Sequence, residues 1–144
     1  MNPILYAEDE KNDIFFLRRA FEKTGITQPL VVVPDGQEVI HYLGGLGPFA
    51  DRDQFPIPCL ILLDLNMPKK SGLEVLQWIR SKSSVPTIPV VVMTSSVQDS
   101  DLHRAYQEGA NAYLVKPSSH TELIEMVKAI KDFWLTHNRV GKRK

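Results

Sequence analysis

Four segments of this 144-residue chain each end an apolar run in a side chain able to do chemistry. Glu8 and Asp9 follow Pro3–Ala7, Asp64 follows Cys59–Leu63, Thr94 follows Pro89–Met93, and Lys116 follows Ala112–Val115. Brought together, the carboxylates repel one another, by roughly 4 kcal/mol for a pair about 4 Å apart at an effective dielectric near 20. A divalent cation removes that problem, and an all-oxygen site suits Mg²⁺, which often holds a phosphate as well. Lys116 adds a point charge that can donate to phosphate, and Thr94 adds a hydroxyl. Aspartate is itself a covalent acceptor of phosphoryl groups. The set therefore suits phosphoryl transfer onto a carboxylate, a reaction made mostly of positioning and charge neutralisation.

The surrounding pattern brings these residues to one place. Short apolar or β-branched runs at Pro3–Ala7, Leu30–Val33, Cys59–Leu63, Pro89–Met93 and Ala112–Val115 read as strands. Between and after them, Asn12–Lys23, Gly36–Leu43, Gly72–Ser81, Asp99–Glu108 and Ser119–Leu135 read as helices, with Gly25, Gly44-Gly45 and Gly109 as stops. Five βα units predict an α/β fold with a doubly wound, five-stranded parallel sheet covered by helices on both faces. Val31–Val33, Leu60–Leu63 and Val90–Met93 are continuously apolar, as expected of strands buried on both sides. In such a sheet, ligands bind beyond the carboxyl ends of the strands, where strand order reverses. The aperiodic stretch Gly44–Pro58 reads as a longer connecting loop.

Composition narrows the class. Lys plus Arg number 17 and Asp plus Glu number 17, so the formal net charge is zero, and neither a nucleic-acid nor a membrane partner is indicated. The basic run Arg139–Lys144 reads as a solvated tail. The expected layout is one domain over 1–137, a basic tail over 138–144, and no output domain. One cysteine, Cys59, excludes an intrachain disulfide, fits a reducing cytoplasm, and reads as a small core residue. The N-terminus lacks the look of a signal peptide, and no run approaches the length of a membrane span. His41, His103, His120 and His137 show no ligand spacing and read as surface; Trp78 reads as core.

Four pieces of the chain, the acidic pair in LYAEDE, the block LLDLNMPKKSG, VVVMTSS and GANAYLVKP, resemble in their order the receiver domain of two-component response regulators. The resemblance covers nearly the whole chain and implies the flavodoxin-like strand order 2-1-3-4-5. By that resemblance Asp64 is the phosphoacceptor. Asp9, Asp64 and the backbone carbonyl of Asn66 hold Mg²⁺ directly, Glu8 acts through water, and Lys116 contacts the phosphoryl group. Thr94 and Tyr113 form a switch pair, and the Lys116–Pro117 bond is cis. The chain departs from the family pattern in Glu8, where aspartate is usual, in Ser118, where Phe is common, and in the longer 44–58 segment. These features resemble the small regulators that partner phytochrome-type histidine kinases. The implied protein is no turnover enzyme, only a self-phosphorylating and self-dephosphorylating switch. A relay intermediate or an unphosphorylated binding module is the alternative.

Two enzyme readings fit less well. A haloacid-dehalogenase-type phosphatase needs a second aspartate two residues after the nucleophile, and Asn66 stands there. A flavodoxin-like cofactor binder wants a phosphate-binding loop after the first strand, and Glu8-Asp9-Glu10 would repel a phosphate. The last helix carries a wide apolar arc. Leu123, Val127, Ile130 and Trp134 form one stripe; Met126 and Phe133 flank it on one side, Ile124 and Leu135 on the other. A single core face needs only about 100° of arc. The excess predicts a homodimer through this face, in which Met126, Phe133 and Leu135 take part.

Overall fold

The computed structural model describes residues 2–139. Its strands are β1 (Ile4–Ala7), β2 (Leu30–Val33), β3 (Leu60–Leu63), β4 (Val90–Thr94) and β5 (Ala112–Val115). All pairings are parallel, in the order β2-β1-β3-β4-β5, as expected. The three inner strands are fully buried, whereas the edge strands β2 and β5 are mostly half-buried. This gradient explains the unbroken apolar runs: an inner strand of a covered sheet has no wet face.

The helices are α1 (Lys11–Thr24), α2 (Gly36–Gly44), α3 (Gly72–Lys82), α4 (Asp99–Gln107) and α5 (His120–Ile130). The two-residue alternation of a strand divides the core into two layers. Leu5, Ala7, Ile61, Leu63, Val90 and Val92 face α2 and α3, with Ala105 of α4 in the same layer. Ile4, Tyr6, Leu60, Leu62, Val91 and Met93 face α1 and α5. Trp78 packs half-buried on the first layer, close to its expected place.

Several details differ from the expectations. The 44–58 segment is ordered by its own bonds. It holds a short 3₁₀ turn at Gly47–Phe49. Arg52 donates to the carbonyls of Tyr42, Leu43 and Phe55, and the Tyr42 hydroxyl donates to Pro56 O. Phe49 and Phe55 stack around Tyr42. The segment packs on the α2 layer, so it does not cover α5. The last helix leaves α-geometry after Ile130 and continues in wider π-type turns over Lys131–His137. Cys59 is half-buried rather than core, because β3 starts one residue after it. No peptide bond among the described residues is cis, so the expected cis Lys116–Pro117 bond is not found.

Candidate functional site

Three of the site residues stand one position past a strand, yet the sheet still holds their backbones. The amide of Glu8 donates to Val33 O at 3.0 Å, that of Asp64 to Ala7 O at 3.3 Å, and that of Lys116 to Thr94 O at 2.8 Å. Each side chain is therefore launched from the last rung of the sheet. The launch points lie at the ends of β1 and its neighbour β3, which meet where the order reverses, and of β5, beyond β4.

The loop after β3 explains the spacing of LLDLNMPKKSG. The chain leaves Asp64, turns through a left-handed Lys69 (φ +67°), and returns so that the Gly72 amide donates to Leu65 O at 3.0 Å. A Cβ on Gly72 would lie 2.4 Å from the Asp64 carbonyl oxygen and 2.7 Å from Leu65 Cα. Only glycine lets α3 begin this close to the acceptor strand. Ser71 and Glu74 then form a reciprocal capping box that fixes the start of α3.

The side chains converge on one ammonium. Lys116 Nζ lies 2.5 Å from Glu8 Oε1, 2.8 Å from Asp13 Oδ2 and 2.9 Å from Asp64 Oδ2. Glu8 and Asp64 are buried, at 1% and 4% exposure, so these bonds form with little water to screen them. Glu8 also accepts from the Tyr6 hydroxyl and, through Oε2, from the amides of Asp9 and Glu10. Asp64 Oδ1 accepts the Asn66 amide at 3.1 Å. Burial pushes the Glu8 carboxyl up, the hydrogen bond from Lys116 opposes this, and the Asp64 charge adds to it. Burial alone would lower the Lys116 ammonium, but its bonds to Asp13, Glu8 and Asp64 outweigh that and hold it above its usual value. Three carboxylates on one ammonium leave the cluster with a charge of minus two before Asp9 is counted. That excess, in an all-oxygen donor set, is the chemistry of a divalent-cation site. Among the described residues no three acidic, His or Cys side chains close on a common metal position; the carboxylates close on Lys116 instead.

A family model described as the response regulator receiver domain matches residues 4–128. The chain belongs to the response regulator receiver family. This receiver is 40% identical over 136 residues to the probable methanogenesis regulatory protein FilR2 of Methanothrix harundinacea, covering 94% of this chain and 85% of that protein. It is 37% identical over 132 residues to the response regulator Rcp1 of Synechocystis, covering 92% and 88%. The crystal structure of the Mn²⁺-bound form of Rcp1 superposes with a TM-score of 0.88 at 34% identity, covering 99% of this chain and all of that one. The phosphorylated cyanobacterial phytochrome response regulator RcpA superposes at 0.89 and 35% identity, again over 99% and 100%.

The other expected residues are distributed around the receiver cluster. Asp9 and Asn66 are exposed beside it. Thr94 is fully buried, and its Oγ1 accepts the Ser96 amide at 3.4 Å. The Tyr113 ring already packs on the α2–α3 layer, with its hydroxyl donating to Ser96 O at 3.1 Å. On the last helix, Met126, Leu135 and Trp134 are half-buried against the core, and of the large apolar side chains expected to pair Phe133, at 52%, is the exposed one. The wide arc is thus mostly absorbed by α1 and the sheet.

Two features at or beside the site escaped the sequence reading. Asp13 reads as one more acid in the first turn of a helix, yet it bonds to Lys116 across 103 positions. Its only sequence signal is its place five residues after Glu8. His120 was expected at the surface. Its ring stacks 5.5 Å from Phe16, and both ring nitrogens are buried with no hydrogen-bond partner among the described residues. It lines a cavity of about 270 Å³ between α1 and α5, directly under Lys116.

Proposed function

We propose that Asp64 accepts a phosphoryl group from a sensor histidine kinase of the phytochrome type, and that the phosphorylated chain signals through a changed surface. The observation that carries this reading is the shared ammonium: Lys116 bridges the buried Asp64 and Glu8 at the end of the sheet. In the transfer, an Asp64 carboxylate oxygen forms a bond to phosphorus as the donor's P–N bond breaks and the imidazole leaves. Lys116 follows the transferred charge. When bound, by Asp9, Asp64 and the Asn66 carbonyl with Glu8 through water, Mg²⁺ supplies neutralisation of that charge. Mn²⁺ in the related Rcp1 and the phosphorylated state of RcpA support a divalent cation and a phosphoryl acceptor here.

On this reading Asn66 leaves no second carboxylate to act as acid, so the group departs by slow hydrolysis rather than enzymatic turnover. Thr94 and Tyr113 carry the switch: the Thr94 hydroxyl turns to the phosphoryl oxygens, and the Tyr113 ring packs further into the space it vacates. The chain works in the cytoplasm, as one receiver over 1–137, and pairs through α5 and the π-type turns. The tail from 140 lies outside the described residues.

The test is phosphotransfer from purified, radiolabelled histidine kinases of the host. Rapid label transfer from a phytochrome-type kinase to the wild type, none to Asp64→Asn, and loss of transfer on chelation support the reading. Preferential labelling by a kinase with another input domain overturns the phytochrome assignment. The greater identity to FilR2 makes that the alternative to examine.

A further inference from the structure

We propose that Asp13 is a positioning residue for phosphoryl transfer, acting through Lys116. The inference rests on Asp64 being the acceptor. An ammonium has three N–H bonds, and Lys116 directs them to Glu8, Asp64 and Asp13. The three partners come from three elements: the end of β1, the end of β3 and the first turn of α1.

Two of these partners have other work. Asp64 must present an oxygen to phosphorus, and Glu8 is also engaged by the Tyr6 hydroxyl and the amides of Asp9 and Glu10. Asp13 has neither duty. Its side chain is 39% exposed, against 1% for Glu8 and 6% for Asp64, so it stands at the rim. The start of α1, which carries it, is capped: Glu10 accepts the Asn12 amide at 2.8 Å. When Asp64 carries the phosphoryl group, Asp13 stays with Glu8 to hold the ammonium over it, and approaches it from the rim.

The need for such a tether is visible beneath the lysine. Lys116 is a compact charge on a flexible four-carbon stem. The cavity of about 270 Å³ under it, with Phe16, Leu17, Met93 and Leu123 in its walls, leaves room for that stem to move. With Asp13 in place the ammonium has a fixed third anchor. Without it, the charge must be re-positioned at each transfer.

A carboxylate in the first turn of a helix also stabilises the helix start, so the test must separate the two roles. Phosphorylation by acetyl phosphate at saturating Mg²⁺ is timed by intact mass for the wild type, Asp13→Ala, Lys116→Met and the double variant. Asp13→Ala is expected to slow the reaction about tenfold in the native background, the effect of losing one hydrogen bond to a charged group. In the Lys116→Met background the same change should have almost no effect, because coupling through Lys116 is gone. A wild-type rate for Asp13→Ala overturns the proposal. So does an equal loss in both backgrounds, which would make Asp13 a helix-start residue only. If Lys116→Met is unreactive, the ¹⁵N signal of the Lys116 ammonium decides: sharp in wild type and lost in Asp13→Ala supports the tether, unchanged refutes it. Asp64→Asn runs beside these: an adduct there fails the acceptor assignment and the proposal that rests on it, whereas no adduct there with a wild-type rate for Asp13→Ala fails the role of Asp13 alone.

Discussion

At the scale of residues, the site solves one electrostatic problem. Glu8 and Asp64 are carried out of water by rigid strands, and Lys116 meets them both. A metal would compete with that ammonium for the same carboxylates. Asp9 is free of the cluster and exposed, which suits a direct ligand, while Glu8 is held by Lys116, Tyr6 and two backbone amides. Loss of Glu8, the proposed through-water partner, should weaken Mg²⁺ roughly tenfold or more, and Asp9→Ala should weaken it further. Titration of each variant with Mg²⁺ followed by NMR reads this; unchanged binding in Asp9→Ala counts against the pocket. Gly72 gives a second residue-level prediction. Its missing Cβ is space that the Asp64 carbonyl occupies. Gly72→Ala should cost about 1–3 kcal/mol in denaturant unfolding, as overpacking does, and should slow phosphorylation by displacing Asp64. Equal stability and equal rate would mean the loop has slack. The strand-end residues were legible because each ends an apolar run. Asp13 and His120 were not, because their contacts arise only where α1 meets the β5–α5 connection.

At the scale of elements, the strands were legible almost to the residue, since a short run of β-branched and apolar residues buried on both faces leaves few alternatives. The 44–58 segment was not, because its order comes from specific bonds and not from a period. Arg52 ties it to the end of α2, and Tyr42 reaches it through a hydroxyl 2.8 Å from Pro56 O. Tyr42→Phe should therefore cost about 1 kcal/mol at neutral pH. The sign of its pH dependence follows from burial, which raises the Tyr42 hydroxyl above its usual 10.0, with Arg52 opposing. A group raised on folding contributes stability that is complete below its unfolded value and is lost as pH climbs toward the folded one. The wild type's advantage over Tyr42→Phe should hold below pH 10.0 and shrink above it. Denaturant melts at several alkaline pH values check this, and a gap that widens there would contradict it. A second half-buried cation works the same way elsewhere: Arg80 of α3 donates to the carbonyls of Pro86, Ile88 and Gly109 and to Asn111, and so ties α3 to the turn before β5.

At the scale of the whole molecule, the wide apolar arc on the last helix overstated the surface available for pairing. Its periodicity was legible, but the burial given by α1 was not, and Leu123, Ile124, Met126, Trp134 and Leu135 all pack on the core. Phe133 remains as the large exposed side chain of the face. If the face pairs, Phe133→Glu should leave a monomer in sedimentation while the wild type dimerises, with phosphorylation strengthening the pair. A wild type that stays monomeric in both states removes the dimer from the account. The central claim is more local than this and is tested by one mass measurement. After incubation with acetyl phosphate and Mg²⁺, the intact wild-type chain should carry one phosphoryl group and Asp64→Asn none. An adduct of equal yield on Asp64→Asn would contradict Asp64 as the acceptor.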